Sequence, residues 1–132
     1  GYSYVNPRGK SAHNQQGIHT DDFIEPYKQM VSPVHRYNSR IMLQIVHGGR
    51  QSLVSDNNPA LAPSAVTDDV TGITPVEMSE SQILQTIEDF ANAARRARAA
   101  GFDGVQLHCA HGFLLSNFIS PYTNQRTNKW GR

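Results

Sequence analysis

Gly101-Phe102-Asp103-Gly104-Val105-Gln106-Leu107-His108-Cys109-Ala110-His111-Gly112-Phe113 carries a short apolar run that ends in two histidines three residues apart. A glycine precedes the run and a polar loop follows it, the pattern of a buried strand that hands over to a site at its end. Alternation sets Val105 and Leu107 against Gln106 and His108, so the first histidine shares a face with Gln106 and Cys109 is expected on the other. Two imidazoles at one strand end can both donate hydrogen bonds into one small space, as a grip on a carbonyl oxygen or a metal requires.

Upstream, Ser79-Glu80-Ser81-Gln82 fits a capping box, and Ile83, Ile87, Phe90, Ala91, Ala94 and Ala97 mark one face of a helix that Gly101 stops. Ile41-Met42-Leu43-Gln44-Ile45-Val46, closed by His47-Gly48-Gly49-Arg50, reads as a parallel strand covered on both faces. Between these elements, residues 51 to 78 are rich in Pro, Asn, Asp, Ser and Ala and read as a long ordered loop over a site. Thr20 or Asp21 is placed to cap an earlier helix with Phe23, Tyr27, Met30, Val31 and Val34 on one face, with a kink or early end expected at Pro33. Residues 1 to 20 read as a connection without periodicity. Downstream, Phe113 to Ile119 suggests a short amphipathic helix, and a polar tail begins at Pro121.

Strands alternating with helices at this spacing predict an α/β fold with a parallel sheet built from βαβ units. One crossover cannot bury both faces of its strands, so the chain reads as part of a (β/α)8 TIM barrel, a fold of about 250 residues. An open doubly wound sheet is the second choice, although no Gly-rich dinucleotide fingerprint follows either strand. The chain opens without an initiator methionine and stops at Trp130-Gly131-Arg132. The expectation is therefore that residues 1–132 are a fragment of a single barrel domain.

Twelve Lys and Arg against eleven Asp and Glu leave a formal charge of +1, which gives no broad field for steering to nucleic acid or an anionic membrane. The single cysteine provides no internal disulfide, which makes a reducing compartment the simpler expectation. No apolar run approaches the roughly 18 residues of a membrane span. A soluble, cytoplasmic protein is expected, with homo-oligomerisation left open.

The strand ends carry the chemistry, because active sites of (β/α)8 barrels lie there. Gln44 sits just below His47 in sequence, and its amide offers donors and an acceptor to a planar heterocycle with imide edges. With His108 and His111 to hold a substrate oxygen, the set suits a flavin over a carbonyl substrate. Blander roles also fit, a satisfied core amide for Gln44 and a carbonyl partner for His47. A metal-dependent barrel hydrolase using His47, His108 and His111 as a three-nitrogen zinc set is the alternative enzyme reading. No added carboxylate supports it, and no metal ligand is assigned.

Together, Gln44-Ile45-Val46-His47-Gly48-Gly49-Arg50, then residues 101–115, then Phe118-Ile119-Ser120-Pro121 and Asn124-Gln125-Arg126-Thr127-Asn128-Lys129-Trp130-Gly131 resemble the Old Yellow Enzyme family of FMN-dependent NADH:flavin oxidoreductases and ene-reductases. The resemblance covers nearly the whole chain, from the end of barrel strand 2 to just after strand 4. It implies non-covalent FMN, with hydride passing from NAD(P)H through the flavin to an activated alkene or similar carbonyl or enone acceptor. By position it implies that Gln44 bonds the flavin pyrimidine ring, that His108 and His111 bind the substrate oxygen, and that the Tyr2 backbone approaches the flavin. It further implies that the phosphate-anchoring loops lie elsewhere, so the isolated chain is expected to bind FMN weakly and to be inactive. A non-catalytic half-barrel module that associates with a partner is the third reading. One departure stands out: the family commonly has a proton-donating tyrosine where this chain has Phe113, and a phenyl ring delivers no proton.

Overall fold

The computed structural model describes residues 1–55 and 57–131. Arg132, the end of the polar tail, and Asp56, within the long loop, lie outside the described residues. Three parallel strands form the central sheet in the order β1-β2-β5: β1 is Tyr2–Tyr4, β2 is Met42–Val46 and β5 is Gly104–Leu107. The register aligns Tyr2 with Gln44 and Gln44 with Gln106, so these three residues form one row across the sheet. Two crossover helices, α1 (Ile24–His35) and α2 (Glu80–Ala99), pack on one face, and α3 (Leu114–Ile119) follows β5. Three successive parallel strands with their crossover helices are a section of the wall of a (β/α)8 barrel.

Residues 1–20 differ from the connection expected of them. Tyr2–Tyr4 is a full sheet member, and a turn at Pro7–Gly9 and a bridge from Tyr4 to Gly17 follow it. A three-residue strand is too short to leave a periodic signature, which is why the pattern missed it. Pro33 stays inside α1, which continues to His35. A proline there removes one bond close to the helix end, where little helix remains to be broken.

The sheet's helix-facing side carries Leu43, Ile45 and Val105, packed with Val5, Ile18, Tyr27, Val31, Ala93, Ala97 and Phe102 in the main core. The small residues of α2 allow the helix to lie close to the strands, and its capping box is complete, with Gln82 N–H donating to Ser79 Oγ and Ser79 N–H to Gln82 Oε1. At the opposite end of the strands, Asp103 joins β5 to β2. Its carboxylate accepts from Ile41 N–H, His35 and Arg40, and these bonds, the backbone one foremost, hold it well below the usual carboxylate range.

The segment after β2 is ordered around a second, smaller core of Leu61, Met78, Ile83 and Leu114. Within it, β3 (Leu61–Ala62) pairs in parallel with β4 (Val76–Glu77). Asp68 is fully buried, accepts from Thr71 N–H and Oγ1, and lies 3.1 Å from Arg50 Nε. That contact is an ion pair more than an aligned hydrogen bond. Arg126 closes the segment from the tail, donating to the carbonyls of Pro63 and Met78. No helix among the described residues is long and apolar enough to cross a membrane.

Candidate functional site

An open cavity of about 360 Å³ lies at the ends of β1, β2 and β5, lined by Tyr2, Gln44, Gln106, His108, Cys109 and His111 among others. The period of two explains the polar row at its floor, since Gln44 and Gln106 alternate with Ile45 and Val105 and so face away from the helices. Gln44 Nε2 donates to Gln106 Oε1 at 2.7 Å. The pair keeps the Gln44 carbonyl oxygen and the Gln106 NH₂ group uncommitted, an acceptor beside donors. That donor set fits the alternating C=O and N–H groups of a flavin pyrimidine edge, so Gln44 and Gln106 can hold one.

His108 and His111 stand at the rim. Beyond Leu107 the strand ends, and the chain turns through His111 and Gly112, both with positive φ of 60° and 75°. This left-handed pair folds the second imidazole back onto the first, with His111 Nδ1 3.3 Å from His108 Nε2. Gln51 Nε2 braces the turn by donating to the His111 carbonyl, and a side chain at Gly112 would meet that amide at 2.6 Å. His108 Nδ1 accepts from Ala110 N–H, which leaves the proton of the neutral ring on Nε2, toward the cavity. Burial, then the neighbouring His111, push the His108 pKa below its ordinary value. The neutral ring is the favoured form, a hydrogen-bond donor without a full charge.

His47 lies elsewhere. It is three residues from Gln44, an odd spacing that turns it to the opposite face of β2, which sets aside the three-histidine metal site. It is almost fully buried, accepts from Gly49 N–H at Nδ1, and lines a separate small cavity with Asn6, Arg8 and Asp89. The structure therefore does not bring His47 to His108 and His111, and among the described residues no group of three His, Cys, Asp or Glu is placed to hold a metal. Cys109 is also corrected: it is exposed on the rim of the same cavity as His108, because strand alternation stops at Leu107.

Burial, with Arg8 adding to it, lowers the His47 pKa to about 4. The unfolded chain takes up this proton from about pH 6.5 downward and the folded chain only near 4, so His47 contributes stability above the unfolded value that is lost as pH falls through that window. The expected loss between pH 7 and pH 4 is at most about 3 kcal/mol from this residue. Urea unfolding across that range checks it; the Asp103 carboxylate contributes its own loss only below the unfolded value near 4.

Two cavity residues carry no local sequence signal of their place. Gln106 completes the amide pair. The Tyr2 ring packs edge-on against His108 at 5.3 Å and against Phe113 at 5.5 Å. Phe113 in turn lies 4.8 Å from the His108 ring. The position of Tyr2 in the row of Gln44 follows from register, which a three-residue strand does not reveal.

Comparison with known proteins gives a consistent picture. The family model described as the NADH:flavin oxidoreductase / NADH oxidase family matches residues 1–131. The NADPH dehydrogenase of Bacillus subtilis (strain 168) is 39% identical over 129 residues, covering 98% of this chain and 38% of its own length. The Old Yellow Enzyme from Pichia sp. AKU4542 superposes with a TM-score of 0.88 at 35% identity, over 99% of this chain and 37% of that one. Morphinone reductase in complex with tetrahydroNAD superposes with a TM-score of 0.90 at 30% identity, over 99% of this chain and 41% of that one. The chain thus spans about two fifths of the length of the relatives it matches.

Proposed function

This chain belongs to the NADH:flavin oxidoreductase / NADH oxidase family, and on that premise we propose that it is a section of a single barrel domain in a longer FMN-dependent oxidoreductase. That enzyme passes hydride from NAD(P)H to a small carbonyl-bearing acceptor such as an enone, in the cytoplasm. The observation that carries this reading is the amide pair of Gln44 and Gln106 on the floor of the cavity whose rim holds His108 and His111.

FMN, when bound, supplies hydride transfer. Gln44 and Gln106 orient its pyrimidine edge through the free acceptor and donor described above. His108 and His111 hold the acceptor's oxygen, where negative charge develops as hydride arrives at the carbon conjugated to it. The bond between the two rings opens to the ligand, which takes over both ring donors. Burial of His108 keeps its ring neutral, so a proton is not lost to the product oxygen and the grip serves as a fixed dipole.

The complete enzyme tests the assignment. It is expected to be yellow, to release its flavin on denaturation, and to bleach on anaerobic addition of NADPH or NADH. A colourless enzyme carrying stoichiometric zinc would contradict it.

A further inference from the structure

Reduction of an activated alkene needs a proton as well as a hydride. Hydride addition to the β-carbon pushes the alkene pair into an enolate, and the α-carbon must then take a proton. Phe113, packed on His108, has none to give. His108 and His111 are committed to the oxygen.

We propose that Tyr2 is the proton donor, a catalytic residue acting through its side chain from the wall of the cavity. This assignment rests on the functional reading above. Tyr2 lies in the inner row with Gln44 and lines the same cavity as Gln44, Gln106, His108 and His111. Its ring is fixed by two edge-on contacts, to His108 with planes at 89° and to Phe113 at 62°. A phenol whose ring is held by two neighbouring rings has little rotational freedom left, which orders its hydroxyl within a cavity that the oxygen grip also lines. Among the described residues the side-chain hydrogen bond to Tyr2 goes to its carbonyl, from Gln15, and no group engages the hydroxyl. An uncommitted phenol on the wall of a site is free to donate to a ligand.

The step balances as follows. The β-carbon gains hydride from the reduced cofactor, the alkene pair moves into the enolate held by the two imidazoles, and the Tyr2 O–H bond breaks as its proton bonds to the α-carbon. The phenolate then recovers a proton from water. Cys109, exposed on the rim, is the other acidic hydrogen lining the cavity. Tyr2, by contrast, is held by ring contacts to His108 and Phe113 beside the grip.

The test uses Tyr2→Phe in the complete, flavin-loaded enzyme, which keeps the ring and its packing and removes only the donor. The oxidative half-reaction with 2-cyclohexenone is expected to slow about 100-fold. Titration of the flavin spectrum with para-chlorophenol, a readout independent of turnover, is expected to give a dissociation constant within twofold of the wild type. Adding Phe113→Tyr to that variant returns a phenol to the site from the adjoining ring and is expected to recover at least tenfold of the lost rate. A Tyr2→Phe enzyme as fast as the wild type overturns the assignment, as does a loss of that size in Cys109→Ala instead. A wild-type enzyme without flavin absorption overturns the functional reading and the proton assignment with it, whereas a loaded enzyme indifferent to Tyr2→Phe overturns the proton assignment alone.

Discussion

Replacing His108 and His111 together by alanine in the complete enzyme is expected to weaken phenolic and enone ligands by about 10³-fold while the flavin stays bound. Each ring contributes one donor to a ligand oxygen, and a hydrogen bond to a charged or charge-developing group is worth roughly 2 kcal/mol, so two lost donors give about three orders of magnitude. Flavin retention follows from geometry, because the amide pair of Gln44 and Gln106 lies a row below the imidazoles and bonds without them. Spectral titration with a para-substituted phenol measures both quantities in one experiment. An unchanged dissociation constant would remove the grip from His108 and His111.

Asp68→Ala is expected to cost about 2–4 kcal/mol of folding stability, because it leaves the largely buried Arg50 guanidinium, 12% exposed, without its counter-charge. Among the described residues Arg50 then keeps only the Thr67 carbonyl as a side-chain partner, at 2.9 Å. The damage should reach the site as well as the fold. Arg50 follows Gly49, whose φ of 62° fits a turn pressed so closely on Asn117 that any Cβ there would lie 2.4 Å from its amide oxygen. Gln51, next in sequence, is the brace on the His111 carbonyl. Chemical denaturation gives the stability term, and the double replacement Arg50→Met with Asp68→Leu is expected to recover much of it, since removing both charges removes the orphan. A loss below 1 kcal/mol in Asp68→Ala would mean that the ion pair does not hold this segment.

How much of this was legible beforehand divides along physical lines. The α2 capping box, the two longer strands and the paired histidines are local patterns, and each appeared where the residues put it. The barrel section followed from the alternation of those elements. Contacts between residues far apart in sequence were not legible. The Arg50 and Asp68 pair, the Gln44 and Gln106 bond across 62 positions, and the Tyr2 ring against Phe113 all depend on strand register and loop path, which carry no local signature. Parity could have separated His47 from Gln44, because three residues along a strand reverse the face. The sequence pattern held that information, and the helix-side burial of His47 is its consequence.

The sheet order β1-β2-β5 leaves β5 with one rim of backbone donors and acceptors unpaired among the described residues and Leu107 half exposed, whereas the Tyr4–Gly17 bridge partly covers the outer rim of β1. Such rims are templates for any extended segment that reaches them. During synthesis the flanking strands of a barrel arrive one after another, so in the proposed barrel this section would spend time on the ribosome with the β5 rim open. In the proposed longer enzyme, translation speed and chaperone occupancy on this section would then decide how much of the barrel closes on itself and how much is captured by neighbouring chains.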